Sequence, residues 1–300
     1  MYTSLPKLIT EFSSREDFQQ LCEKHHIEGL LFFFYRDFNS NADFKSVWLK
    51  NWHRNDLYIN ELKEICVDFN GQFPLISLKG ASLLESLYKD LGSRFMSDID
   101  LLVHPDDIQS LETLLKAKDF TLINSTKWKA NNFKSEWTKT IDGTEICVEL
   151  HSKLYYHCAN NYTDFVTTKS NIPNLRRLSH IDEFVHLAGH YVHQHTFQKN
   201  YWLFDLYLYA KVILVESDEA ELLARAKKYK LEKSLFYVFS LFESAFGEKI
   251  FSYSAKYKIP TAFLWSDDRS SFEYFKFKHL AKDSIITALE YDIRLLISKF

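Results

Sequence analysis

Leu78-Lys79-Gly80-Ala81-Ser82, followed eighteen residues after the glycine by Asp98-Ile99-Asp100-Leu101-Leu102-Val103, is the stretch that decides the fold. Carboxylates at i and i+2 of a strand project from one face. Ile99 and the apolar run after Asp100 give that strand the neighbours of a buried one. Two solvated acids near a strand end are the plain alternative, but a strand this apolar rarely holds two acids on one face without a partner. A divalent cation is the usual partner, because hard cations take carboxylate oxygens. Upstream, Lys79-Gly80-Ala81-Ser82 reads as a strand-to-helix turn. The helix expected over Ala81–Lys89 would offer free N–H groups to a phosphate. The pair predicts metal-assisted chemistry on a nucleoside triphosphate.

Elements follow outward from this core. Gly71 and Pro74 precede a short buried strand at Leu75–Leu78. Gly92 is expected to end the helix that follows the turn. Pro105 starts a helix over Asp106–Lys116 with an acidic first turn. Phe120–Asn124 is a further strand. Asp142-Gly143, flanked by Phe133–Ile141 and Thr144–Leu150, predicts a hairpin. Residues 153–178 read as irregular. Helical spacing governs residues 6–70, and again His180–His193, Trp202–Val215, Asp218–Tyr229, Lys233–Phe246 and Phe272–Lys299, with Ser217-Asp218-Glu219 as a helix start. The expected divisions are a helical region at 1–70, a mixed α/β core at 71–170 and a helical domain at 171–300.

Composition bounds the function. The 300 residues, 46% of them hydrophobic, can bury a sizeable core. With 7 Gly and 5 Pro the chain is poor in turn formers, which favours long helices and sharpens the signal of each glycine. A net charge of -3 disfavours an extended nucleic-acid interface. Cys22, Cys66, Cys147 and Cys158 have no framework spacing and read as free thiols. No apolar run reaches the length of a membrane span, and Met1–Pro6 lacks the basic start of a signal peptide. The expectation is a cytoplasmic protein without a membrane partner.

A third acid should complete the centre. Thr144–His151 offers Glu145, Cys147, Glu149 and His151 on one face. Glu149, bracketed by Val148 and Leu150, is the better candidate for metal ligand or general base. An exposed acid on the polar face of a hairpin is the alternative.

Lys79-Gly80-Ala81, Tyr88, Arg94, Asp98-Ile99-Asp100-Leu101-Leu102-Val103 and Val148-Glu149-Leu150-His151 together resemble the uncharacterised bacterial nucleotidyltransferase group of the polymerase-beta-like superfamily. That group carries a Lys-Gly-(Ala/Ser) turn, an R-x-M-x-D-I-D-L-L-V strand and a later (Asp/Glu)-Leu-His strand. The superfamily at large uses Gly-Ser or Gly-Gly at the turn and more often Asp as third acid. The resemblance implies an α+β fold: a mixed nucleotidyltransferase-like sheet with flanking helices, plus N-terminal and C-terminal helical regions. It implies transfer of a nucleoside monophosphate from an NTP such as ATP to an acceptor hydroxyl, with release of pyrophosphate. Asp98, Asp100 and Glu149 would be the catalytic and metal residues. They would hold two Mg²⁺ ions, with Mn²⁺ as the substitute, about 3.5–4 Å apart. Lys79, Gly80, Ala81, Ser82 and Arg94 would contact the nucleotide phosphates. His151, His190 and Asp205 are candidates for substrate contact. The acceptor is expected to be a small molecule or a protein, in a cleft between the α/β unit and the C-terminal helices.

Two other readings compete. A catalytically silent nucleotide-binding or protein-interaction module could keep the same fold. A metal-dependent hydrolase could use the histidine-rich segment, which holds seven of the twelve histidines between positions 151 and 195. On a regular helix His186, His190 and His193 would share a face, but no acid of the HExxH kind lies among them.

Overall fold

The computed structural model describes residues 6–129, 132–215, 218–252, 257–266, 268–284 and 288, without the side chains of 126–133 and 261. The expectations for residues 1–5, for Ser217 and for nearly all of the last helix beyond Ser284 lie outside these. The helices are α1 (Lys7–Thr10), α2 (Phe18–His25), α3 (Glu28–Phe34), α4 (Ala42–Asp68), α5 (Lys79–Leu83), α6 (Ile108–Ala117), α7 (His180–Ala188), α8 (Asn200–Val212), α9 (Glu219–Lys228), α10 (Glu232–Phe246), α11 (Thr261–Leu264) and α12 (Phe272–Leu280). The strands are β1 (Leu75–Leu78), β2 (Ile99–Leu102), β3 (Thr121–Lys129), β4 (Asn132–Ile141), β5 (Thr144–His151), β6 (Thr167–Lys169) and β7 (Leu175–Leu178). This is an α+β fold: one mixed sheet with flanking helices.

Two compact units make up the chain. The first comprises Glu28–Tyr156 and Asn160–Ser179, and holds the whole sheet in the order β3-β4-β5-β2-β1-β7-β6. β2 is its centre, antiparallel to β1 and parallel to β5. All four residues of β1 and all four of β2 are buried, as the apolar runs require. The hairpin predicted around Asp142-Gly143 joins β4 to β5, with both turn residues at positive φ. The segment read as irregular contains β6 and β7, and β7 extends the sheet by parallel pairing with β1. Its sequence, Leu-Arg-Arg-Leu, has neither alternation nor a continuous apolar run, so periodicity does not reveal it.

Gly92 does not end the helix after the turn. That role falls to Lys89 in the left-handed region (φ 53°), after a π-helical turn at Leu84–Tyr88. Gly92 instead lies against α4: a Cβ there would fall 2.4 Å from the Trp48 indole nitrogen.

One face of α4 grips the loop before β2. Trp48 Nε1 donates to Asp90 Oδ1 at 2.9 Å. Asn55 Nδ2 donates to the carbonyls of Leu91 and Arg94, both at 2.7 Å. Tyr58 Oη donates to the Ser97 carbonyl at 2.8 Å. Trp48, Asn51, Asn55 and Tyr58 recur at helical spacing. A long polar-faced helix with buried asparagines is thereby explained: its side chains satisfy backbone carbonyls that no strand or helix satisfies.

The second unit comprises the described residues among 2–27, His157–Ala159 and those from His180 onward. It is helical, and its aromatic stripes are core. Phe204, Tyr207, Tyr209, Tyr237, Phe239 and Phe242 are buried, with Tyr207 stacked on Phe246 at 3.8 Å. Asp182 in α7 is fully buried and pairs with Arg225 of α9 at 2.7 Å. Buried Glu183 accepts from Tyr209 Oη at 3.0 Å.

Asn55→Ala strands two carbonyls and is expected to cost about 2–3 kcal/mol in urea denaturation. Asn60→Ala, on the exposed side of the same helix, is expected to cost less than about 0.5 kcal/mol. Equal effects of the two would show that the Asn55 bonds do not hold the loop.

Candidate active site

β1 ends where its partner begins: Leu78 pairs with Asp100. The chain turns at once into α5, with Lys79 in the left-handed region at φ 47°. A lysine there costs on the order of 1–3 kcal/mol. The turn directs its ammonium to Asp100, with Nζ 2.7 Å from Oδ1. On the other side of β2, register sets Asp100 against Glu149 and Leu102 against His151. His151 Nε2 lies 2.9 Å from Asp100 Oδ1 and 3.3 Å from Glu149 Oε2. Its Nδ1 lies 2.7 Å from Tyr156 Oη. β4 adds Lys134, paired with Glu149 Oε2 at 2.8 Å.

Asp100 is the centre of this network. It is 1% exposed, and both Lys79 and His151 use its Oδ1. Its Oδ2 is buried and has no hydrogen-bond partner among the described residues. An uncompensated carboxylate oxygen at this depth is costly. Asp100, Glu149 and His151 each offer a ligand atom, and these atoms lie within 4.8 Å of one another. Among the described residues no other group of three or more His, Cys, Asp or Glu converges in this way. The donor set and the orphaned oxygen fit a divalent cation.

The electrostatics follow from the packing. Burial opposes the charge on Asp100, but Lys79 and His151 outweigh it and hold the carboxyl well below its ordinary range. Burial likewise opposes Glu149; the His151 bond and nearby cations hold it down at about 2. Burial disfavours the imidazolium of His151. Tyr156 and the two carboxylates overcome this and raise it to about 10. Burial also works against charged Lys79 and Lys134, and the surrounding acids raise both. Asp98 differs: burial and then the charge of Asp100 push it up to about 6.

The expected site residues fall into four groups. Asp100, Glu149, Lys79 and His151 are in direct contact. Asp98 precedes β2 rather than lying in it, and accepts from Ser97 Oγ at 3.1 Å. It stands beside the converging group and not within it. Gly80, Ala81 and Ser82 are buried in α5. A Cβ at Gly80 would meet Met96 Cγ at 2.7 Å and Arg94 Nη1 at 3.0 Å. Gly80 therefore makes room for the Arg94-Phe95-Met96 segment. Arg94 is buried, and its Nη1 donates to the Phe95 carbonyl at 2.9 Å. His190 and Asp205 belong to the second unit. His190 Nδ1 lies 3.1 Å from Gln194 Oε1, and its ring meets Trp202 edge-on at 4.6 Å. Asp205 is fully buried in α8.

Among the described residues, His186, His190, His193 and His195 belong to no converging group of metal ligands. A π-helical turn at Gly189–Gln194 breaks the regular spacing, and His193 stacks on His157 at 4.1 Å while His190 packs on Trp202. Reasoning from sequence missed Lys134, Tyr156 and the α4 clamp. Lys134 stands fifteen positions before Glu149 across the hairpin, and register through Asp142-Gly143 would have found it.

Opposite pKa directions give opposite pH signatures. The pKa of Asp98 is higher folded than unfolded, so its contribution to stability is present below pH about 4 and lost as pH rises through about 6. Glu149 is lowered, so its contribution is present above the ordinary glutamate pKa of about 4.3 and lost as pH falls toward 2. At pH 7.5 Asp98→Asn is expected to raise the urea midpoint and Glu149→Gln to lower it. The gain from Asp98→Asn is expected to shrink by pH 4. Two shifts of one sign at pH 7.5 would contradict this electrostatic assignment.

No curated protein and no solved structure shows a match to the chain. A family model does. Its region includes the turn, β2 and β5, and so every residue of the Asp100 network. With residues 14–247 matched, the chain belongs to the family described as uncharacterised nucleotidyltransferase.

Proposed function

We propose that this chain is a divalent-metal-dependent nucleotidyltransferase that moves an NMP from an NTP to an acceptor hydroxyl. The observation that carries the reading is the convergence of donor atoms from Asp100, Glu149 and His151 within 4.8 Å of one another, beside an Asp100 Oδ2 that is buried and has no hydrogen-bond partner among the described residues. Family membership supplies the reaction class, and the site is a donor set that such a reaction can use. In the reaction, the acceptor oxygen bonds the α-phosphorus as the bond to the bridging oxygen of the β-phosphate breaks. Pyrophosphate leaves, and the hydroxyl proton passes to a base or to solvent.

Asp100 and Glu149 would hold Mg²⁺ or Mn²⁺, with Asp98 next to the ion and outside the converging group. When bound, the metal supplies charge neutralisation on the triphosphate and acidity at the acceptor hydroxyl. Lys79 would present a positive charge to the phosphates from a backbone position that folding has already fixed. Burial and the neighbouring charge of Asp100 push the Asp98 carboxyl up to about 6 in the metal-free centre. Standing beside the ligand group and not within it, Asp98 is the residue we assign to take the acceptor proton. Glu149, held at about 2, is a poor base and a good ligand.

Calorimetry with ATP, GTP, CTP and UTP, each with Mg²⁺ or Mn²⁺, tests the reading. At least one NTP is expected to bind the wild type only when metal is present, and not the Asp98→Asn/Asp100→Asn double variant. Failure of all four NTPs with either metal would overturn the proposal. Binding indifferent to both substitutions would move the nucleotide away from this centre.

A further inference from the structure

We infer that His151 is itself a metal ligand, and that the centre prefers a cation accepting nitrogen, of the Mn²⁺, Co²⁺ or Zn²⁺ kind, over Mg²⁺. The inference deepens the transferase reading by naming the metal class, and rests on it for the role of the metal alone. Three geometric facts carry it. The Asp100, Glu149 and His151 donor atoms converge within 4.8 Å. Asp100 Oδ2 is buried without a partner among the described residues while its Oδ1 is already shared by Lys79 and His151. And the His151 ring is pinned from behind, Nδ1 against Tyr156 Oη at 2.7 Å, so that Nε2 is the atom aimed at both carboxylates.

The third fact matters most. Metal-binding imidazoles usually donate their second nitrogen to a fixed acceptor, which sets the tautomer and the ring orientation. Tyr156 Oη can accept from Nδ1–H, and a cation that binds Nε2 displaces the Nε2 proton to solvent and takes over its place between the two carboxylates. The oxygen-only alternative uses Asp98 in place of His151. Asp98 lies outside β2 and outside the converging group, and its carboxyl is bonded to Ser97. Mg²⁺ takes oxygen donors and holds its waters tightly. Imidazole shifts a site toward first-row transition cations. Two carboxylates and one imidazole therefore favour Mn²⁺ over Mg²⁺ without excluding Mg²⁺.

The test uses the full chain and Mn²⁺ alone, with no nucleotide. Electron spin-echo modulation of bound Mn²⁺ is expected to show a directly coordinated ¹⁴N in the wild type. That coupling is expected to vanish in His151→Gln. Competition titration is expected to give Mn²⁺ at least tenfold tighter than Mg²⁺ in the wild type. In His151→Gln the Mn²⁺ affinity should fall about tenfold or more, with Mg²⁺ changed little. Tyr156→Phe leaves the imidazole in place, so the nitrogen coupling should persist while Mn²⁺ affinity falls; this arm stands if His151→Gln fails to fold by circular dichroism. Bound Mn²⁺ without nitrogen coupling, a coupling that survives His151→Gln, or no binding of Mn²⁺ would each overturn the inference. The two readings fail separately. Transfer activity with Mg²⁺ and no nitrogen coupling sinks the metal assignment alone. Nitrogen-ligated Mn²⁺ on a chain that binds no NTP sinks the transferase alone.

Discussion

The structure turns on a carboxylate buried at the centre of a sheet. Asp100 sits on β2, whose four residues are all buried. Removing a carboxylate from water is costly unless charge and hydrogen bonds replace the lost hydration. Every neighbouring element contributes to that replacement. β1 and its strained turn deliver Lys79, β5 delivers His151, and Tyr156 fixes the ring. Glu149 and Lys134 then balance each other one step further out. The partners sit on three different elements, so only the assembled sheet brings them together. Lys79 shows how strongly this is required, since its left-handed backbone is tolerated in order to place one ammonium.

Position matters as much as charge. Asp98 lies at the end of a segment that has no strand or helix of its own. α4 supplies the missing constraint through Trp48, Asn55 and Tyr58, and Gly92 allows the loop to lie flat on that helix. From the other side Gly80 leaves room for Met96 and Arg94. The loop is held between α4 and α5, so the carboxylates reach β2 at a fixed height. Residues distant from the chemistry thus carry part of the precision that a transfer reaction demands.

Much of this could be read from the chain because strong local signals agreed. The apolar runs of β1 and β2, the Asp-Gly hairpin and the i, i+2 acids are each decided within a few residues. The sequence also brought Lys79, Asp100, Glu149 and His151 to attention, on motif and alternation. What was not legible depends on register and tertiary contact. Lys134 is an ordinary strand lysine until β4 is paired with β5. β7 is four residues without period, and only β1 makes it a strand. Asn55 reads as an exposed helix residue unless one knows which face of α4 meets the loop. Gly92 misled for a related reason: its glycine signal was real, but the cause was the Trp48 ring and not a helix end. The competing reading of the histidine triplet assumed a regular helix, whereas a π-helical turn at Gly189–Gln194 alters the 3.6-residue spacing there.

The charge balance of the centre says what a metal would be for. Asp98, Asp100 and Glu149 face Lys79, Lys134 and His151, three acids against three bases, within the first compact unit. These cations already compensate the two most buried acids, Asp100 and Glu149, and hold them ionised. In a zinc finger, by contrast, ligands unable to coexist without metal make binding and folding one event. Here the sheet, the α4 clamp and the lysines organise the site by themselves. Among the described acids of the centre, Asp100 Oδ2 is the buried oxygen left without a hydrogen-bond partner. A cation at that point would relieve this oxygen, while the charges of Asp100 and Glu149 are already offset by Lys79, His151 and Lys134. What it adds is positive charge beside Lys79, at the place where a triphosphate would need it. Under the proposed reading, a bound metal would therefore serve the reaction more than the architecture.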